Sequence, residues 1–130
     1  MLTTGTTLGE RFARSLLAKD WTSVAELFDA NIEFRALTPG KQWEAHAPDE
    51  VIDGILKRWF EPSDQIYAVL AITSDRVVDR GRVVYRARIR NPDGDFVCEQ
   101  TAYYDTDGDR ITRMRILCSG FVPSAGSATP

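Results

Sequence analysis

Hydrophobic positions in the first third of the chain recur at helical intervals. Thr7-Leu8-Gly9-Glu10 has capping-box spacing, and Phe12, Leu16 and Leu17 follow on one face, which predicts a helix ending near Lys19. Asp20 is placed to cap a second, short helix with Trp21, Val24, Leu27 and Phe28 on its apolar side, so the two form a helical hairpin. The period then falls to two: Ile32, Phe34 and Ala36 alternate with Glu33 and Arg35, as in a strand with one buried face. Thr38-Pro39-Gly40 ends that strand, and a loop carrying Trp43, Glu44 and His46 leads to Pro48, a favoured first helical residue. Val51, Ile52, Ile55, Leu56, Trp59 and Phe60 line the third helix, which must stop before Pro62.

The rest of the chain reads as an antiparallel meander with strands near 65–73, 76–79, 82–90, 96–104 and 110–119. Asp93-Gly94 and Asp107-Gly108 supply residues suited to tight turns. A two-residue turn at Asp93-Gly94 pairs Ile89 with Cys98, Ala87 with Gln100 and Tyr85 with Ala102 on one face, and Arg88 with Glu99 on the other. Met114, Ile116 and Cys118 join the inner face if a bulge in the second hairpin corrects the register. The concave side is then lined by Phe34, Ala36, Tyr85, Ala87, Cys98, Gln100, Ala102, Met114 and Ile116, with Gln100 as its conspicuous polar member. These helices followed by strands predict an α+β fold with residues 1–6 as an arm, one domain over 7–121 and a small-residue, disordered tail over 122–130.

Composition narrows the function classes. The 130 residues are 43% hydrophobic and 27% charged, with a net charge of −3 and a pI near 5.1. Nucleic-acid affinity rests on excess Lys and Arg, so a nucleic-acid partner is not expected. No apolar run approaches a membrane span, and the first dozen residues lack a basic stretch followed by an apolar one, so the expected location is the cytoplasm, away from membranes. Two cysteines make no disulfide framework, and with one histidine they supply no usual metal-ligand set. Neither a metal nor an organic cofactor is called for.

The order helix, helix, strand, helix, meander, with Gly108-Asp109-Arg110-Ile111-Thr112-Arg113-Met114-Arg115-Ile116-Leu117 near its end, resembles the SnoaL-like branch of the nuclear-transport-factor-2-like superfamily. The resemblance covers roughly residues 7–121. It implies a cone: a curved, mixed or antiparallel sheet wrapped around three N-terminal helices, with an apolar pocket and dimers through the outer sheet face. The superfamily includes isomerases, cyclases, a dehydratase and non-catalytic members, so the fold alone does not choose among them. Set against bacterial ketosteroid isomerases, the oxyanion-holding tyrosine falls on Phe12, the aspartate base on Ala36 and the protonated aspartic acid on Gln100. Alanine cannot take a proton and phenylalanine cannot donate one, so that mechanism is not retained. The epoxide-hydrolase arrangement of an arginine between two aspartates has no inward-facing match.

Two function classes remain. One is a binder of a small apolar molecule acting as an isomerase, cyclase or dehydratase, with His46 as the acid–base group and Gln100 polarising a carbonyl. Its ligand-contacting set is Phe12, Phe34, Ala36, Trp43, Trp59, Tyr85, Cys98, Met114, Ile116 and Cys118. The other is a non-catalytic ligand-binding, dimerisation or protein-interaction module. Each candidate has a plainer role beside it: His46 as an exposed loop residue, the cysteines as small core residues, Trp59 as helix packing. Arg86, Arg88, Arg90, Arg113 and Arg115 form an outer stripe, suited to cross-strand ion pairs, a dimer face or an acidic partner.

Overall fold

The computed structural model describes residues 7–124; the expected arm at 1–6 and the tail beyond 124 lie outside the described residues. The predicted capping box opens α1 (Leu8–Leu17), with Thr7 Oγ1 accepting from Glu10 N at 3.0 Å and Glu10 Oε1 accepting from Thr7 N at 3.1 Å. Asp20 caps α2 (Trp21–Glu26) by accepting from Ser23 N. The chain reverses between the two helices at Lys19, whose φ of 56° lies in the left-handed region.

Phe28 does not belong to the second helix. It starts β1 (Phe28–Thr38), because Leu27 O accepts from Ile111 N at 2.7 Å and Phe28 pairs in parallel with Ile111. The loop expected around Trp43 is also a strand, β2 (Lys41–Ala45), folded back on β1 through Pro39-Gly40, with Gly40 at φ 78°. Trp43 and Ala45 face inward while Gln42 and Glu44 face out, a period of two that the short segment does carry. The third helix consists of α3 (Pro48–Val51), a π-helical stretch (Ile52–Leu56) and α4 (Lys57–Trp59), and it buries Val51, Ile52, Ile55 and Leu56.

The meander follows as β3 (Gln65–Val77), β4 (Arg80–Asn91), β5 (Gly94–Asp107) and β6 (Arg110–Cys118). The two strands expected over 65–79 are one long edge strand with two register shifts. A short β7 (Val122–Pro123) pairs with β5, so pairing continues past residue 121 into the stretch expected to be a tail. The sheet order is β2-β1-β6-β5-β4-β3, with β1 and β6 parallel and the other pairs antiparallel. This unclosed mixed sheet curves around the helices as an α+β cone, with its apolar concave face against them.

The first hairpin is offset from the expected register by two residues. Asn91 pairs with Gly94, so the turn is Pro92-Asp93, and Ile89 faces Phe96, Ala87 faces Cys98 and Tyr85 faces Gln100. Pro92 lacks the N–H that a ladder position needs but suits the first turn position, and Asn91 Oδ1 accepts from Asp93 N at 2.8 Å. A shift of two keeps every side chain on its predicted face. In the second hairpin the expected bulge lies between Asp105 and Thr106, and it brings Met114, Ile116 and Cys118 onto the inner row.

One contact pins α1 to the sheet. The Tyr104 ring lies between Gly9 and Gly81, and its Oη accepts from Gly9 N at 3.0 Å. A Cβ would stand 2.6 Å from the Tyr104 Oη at Gly9 and 2.3 Å from its Cζ at Gly81. Neither glycine has room for a side chain while the ring is in place.

Candidate functional site

Most of the concave interior is filled. Phe12, Phe34, Tyr85 and Met114 are at most 1% exposed, and the rings interlock: Phe12 with Tyr85 at 6.2 Å between centroids, Phe34 with Trp59 at 6.3 Å. Beside this filled interior is a cavity of about 200 Å³, open to solvent, lined by Thr38, Trp59, Phe60, Gln100, Cys118, Gly120 and Phe121. It lies where the end of β1, the end of α4, β5, the end of β6 and the segment after it converge. Phe121 packs on Phe60 at 6.0 Å and on Phe96 at 5.9 Å.

Of the predicted ligand-contacting residues Trp59 and Cys118 line this cavity, together with Gln100, expected to polarise a carbonyl. Phe12, Phe34, Tyr85, Cys98 and Met114 are buried around it as core. Ala36, Trp43 and Ile116 instead border a groove of about 660 Å³ that also includes Arg35, Leu37, Glu44, Tyr103, Arg115 and Leu117. His46 lines neither. Its side chain is 62% exposed, with Nε2 2.9 Å from Glu44 Oε2, because β2 carries the chain outward and His46 follows its last residue. Phe60 was legible as an apolar helix position but not as a wall, and Thr38, Gly120 and Phe121 gave no signal beyond turn chemistry.

Pairing sets the polar row of the site. Tyr85 on β4 is opposite Gln100 on β5, and Gln100 is opposite Cys118 on β6, so one inward row crosses three strands. Tyr85 Oη donates to Gln100 Oε1 at 2.6 Å. The Gln100 Nε2 is shielded from solvent and has no hydrogen-bond partner, and the same holds for the Trp59 indole Nε1. Turning the Gln100 amide over would leave the Tyr85 proton without its acceptor, so this orientation satisfies more of the row. Trp43, by contrast, donates from Nε1 to Thr38 Oγ1 at 2.8 Å.

Cys118 brings the cavity wall its titratable group. Its Sγ is 3.7 Å from Cys98 Sγ and 3.3 Å from Gly120 N, which donates to it. The Cys98 sulfur beside it holds the Cys118 thiol below its ordinary pKa, burial opposes this, and the neighbouring Gln100 side chain and the Gly120 N–H act in the lowering direction. Cys98 is pushed up, first by that same hydrogen bond and then by burial. Burial raises Tyr85 well above its ordinary value, and the neighbouring sulfurs add to the shift.

On the outer face four arginines are matched to carboxylates. Arg86 pairs with Glu99 at 2.6 Å, Arg90 with Asp95 at 2.8 Å, Arg80 with Asp105 at 2.9 Å and Arg113 with Glu33 at 3.5 Å. The two-residue offset thus gives Glu99 to Arg86 and not to Arg88. Among the described residues no cluster of His, Cys, Asp and Glu could hold a metal ion, and no helix is long and apolar enough to cross a membrane.

No protein-family model matches the chain, and no curated protein matches it in sequence. Solved structures match it in shape. An NTF2-like protein from Burkholderia thailandensis superposes with a TM-score of 0.68 at 13% identity, over 88% of this chain and 92% of the other. A candidate SnoaL-like polyketide cyclase from Mesorhizobium loti gives a TM-score of 0.63 at 13% identity, over 84% and 94%. A Catenulispora acidiphila protein with a ketosteroid-isomerase-like fold, solved in complex with trimethylamine, gives 0.64 at 14% identity, over 88% of each chain. The cone, its mixed sheet and these neighbours together identify the chain as having the nuclear-transport-factor-2-like fold, the one shared by SnoaL-like and ketosteroid-isomerase-like proteins.

Proposed function

We propose that this chain is a small-molecule-binding domain whose ligand enters the cavity beside Trp59 and offers a hydrogen-bond acceptor, a carbonyl above all, to Gln100 Nε2 and Trp59 Nε1. The observation that carries this reading is that two residues lining one cavity, Gln100 and Trp59, each hold a solvent-shielded donor without a partner. A buried polar group left unpaired costs about 1–3 kcal/mol, so an acceptor that satisfies either donor recovers free energy the unliganded fold lacks. About 200 Å³ is below the roughly 300–1,000 Å³ of ordinary ligand pockets, so the ligand is compact and mostly apolar. The same fold has been solved holding a molecule as small as trimethylamine, in the Catenulispora protein.

Turnover of a carbonyl compound by isomerisation, cyclisation or dehydration is the second reading, favoured by Cys118, the titratable side chain on the cavity wall. His46 has no part in it, since it stands outside the cavity. The test is a thermal-shift screen of compact ketones, enones, terpenoid ketones and aromatic polyketide fragments, each beside its hydrocarbon analogue. Ketones are expected to raise Tm where the hydrocarbons do not. Gln100→Leu and Trp59→Phe should abolish the shift and His46→Ala should keep it; equal shifts by hydrocarbon and ketone would sink the donor assignment.

The outer groove supports a homodimer through the sheet. Leu37 at 46%, Leu117 at 60% and Tyr103 at 38% exposure gather there beside Arg35, Glu44 and Arg115. Light scattering should give twice the 14.6 kDa chain mass, falling to one chain in Leu117→Lys. A reducing, cytoplasmic setting fits the two free thiols.

A further inference from the structure

We propose that Cys118 and Cys98 form an oxidant-responsive dithiol, in which Cys118 attacks a hydroperoxide reaching the cavity and Cys98 then closes the pair to a disulfide. This does not depend on the ligand proposed above; it needs only access of a small peroxide to Cys118. The two thiols are free, on neighbouring strands, with sulfurs 3.7 Å apart. A disulfide bond is about 2.0 Å long, so a sulfur approach of roughly 1.7 Å closes it.

Position divides the roles. Cys118 is half-buried on the cavity wall, whereas Cys98 is buried behind it. The segment after β6 turns at Gly120, φ 77°, and aims the Gly120 N–H at the Cys118 sulfur. With the Cys98 sulfur 3.7 Å away and able to donate its S–H to the same atom, negative charge is best held on the more accessible Cys118, which is the nucleophile, and the proton on Cys98.

The chemistry balances without a further co-reactant. The Cys118 thiolate attacks the terminal peroxide oxygen, the O–O bond breaks, the leaving oxygen takes a proton to become water or an alcohol, and Cys118 becomes a sulfenic acid. The Cys98 sulfur then attacks the Cys118 sulfur, the S–O bond breaks, and hydroxide leaves as water with the Cys98 proton. Two thiols are oxidised to one disulfide while the hydroperoxide is reduced. An added dithiol reverses the change by exchange.

The experiment treats the full-length, fully reduced chain with hydrogen peroxide and follows intact mass and a non-reducing peptide map. The expected result is a mass lower by about 2 Da, one intrachain Cys98–Cys118 peptide pair, and recovery of both thiols with dithiothreitol. Cys98→Ser should stop at a Cys118 sulfenic acid, heavier by about 16 Da and trapped by dimedone, while Cys118→Ser should leave Cys98 at least about tenfold slower to oxidise. Should either variant unfold by circular dichroism, the wild-type map alone decides. Thiols that survive peroxide, disulfides only between chains, or equal reactivity of Cys98 and Cys118 would overturn the proposal.

Discussion

Removing the Tyr85 hydroxyl alone leaves the Gln100 amide with neither end satisfied, whereas removing both polar groups leaves no orphan in the row. Both residues are 1% exposed, so solvent replaces neither partner. With each unpaired buried group costing about 1–3 kcal/mol, Tyr85→Phe should destabilise by about that amount. Gln100→Leu exchanges the unpaired Nε2 for an unpaired tyrosine hydroxyl, so it should lie within about 1 kcal/mol of wild type. The double variant Tyr85→Phe/Gln100→Leu removes the hydrogen bond and the existing orphan together, and should be about 1–2 kcal/mol more stable than wild type. Unfolding entropy of about 2.1 cal/mol/K per residue makes this roughly 4 °C per kcal/mol, so the double variant should melt about 8–20 °C above Tyr85→Phe. Scanning calorimetry and urea denaturation of the four proteins close the cycle. A Tyr85→Phe protein that melts with wild type, or a double variant below both singles, would refute the assignment of an unpaired amide. The double variant should also lose every ketone-specific thermal shift, showing a polar row kept for binding at the expense of stability.

Three further outcomes follow from the packing and the titrating groups. Gly81→Ala sets a methyl 2.3 Å from the Tyr104 ring and should cost about 1–3 kcal/mol in urea denaturation, an effect that should vanish in a Tyr104→Ala background. Val78, 91% exposed, holds a φ of 58° in the turn before β4, so Val78→Asn should raise stability by about 1 kcal/mol; an unchanged or lower Tm would show that the turn carries no strain. Burial raises the folded-state pKa of Tyr85, so its contribution to stability is whole below the unfolded tyrosine value near 10 and is lost as pH climbs from there toward the folded value. Stability measured between about pH 9 and 11 should therefore fall more steeply for wild type than for Tyr85→Phe, and parallel slopes would contradict the shift.

Local chemistry and periodicity made several features readable in the chain itself. The Thr7 capping box and the Asp20 cap are short-range hydrogen bonds that neighbouring residues complete unaided. The inward parity of Tyr85, Gln100, Met114 and Cys118, and the bulge that reconciles the last two strands, follow from alternation that survives a register error of two residues. Gln100 was thus legible as the inward polar residue, but not as an amide with one end paired.

Tertiary structure decided the rest. β2 is too short for its period of two to stand out from a loop, and its pairing with β1 puts Trp43 against Trp59 and His46 outside. The cavity draws its walls from segments as far apart as Thr38, Trp59, Gln100 and Phe121, which no local pattern joins. Whether a polar atom finds a partner, and whether two cysteines twenty residues apart meet at 3.7 Å, depends on neighbours distant in the chain. Alternation along a strand says which face a side chain takes; only the folded neighbours say what it touches there.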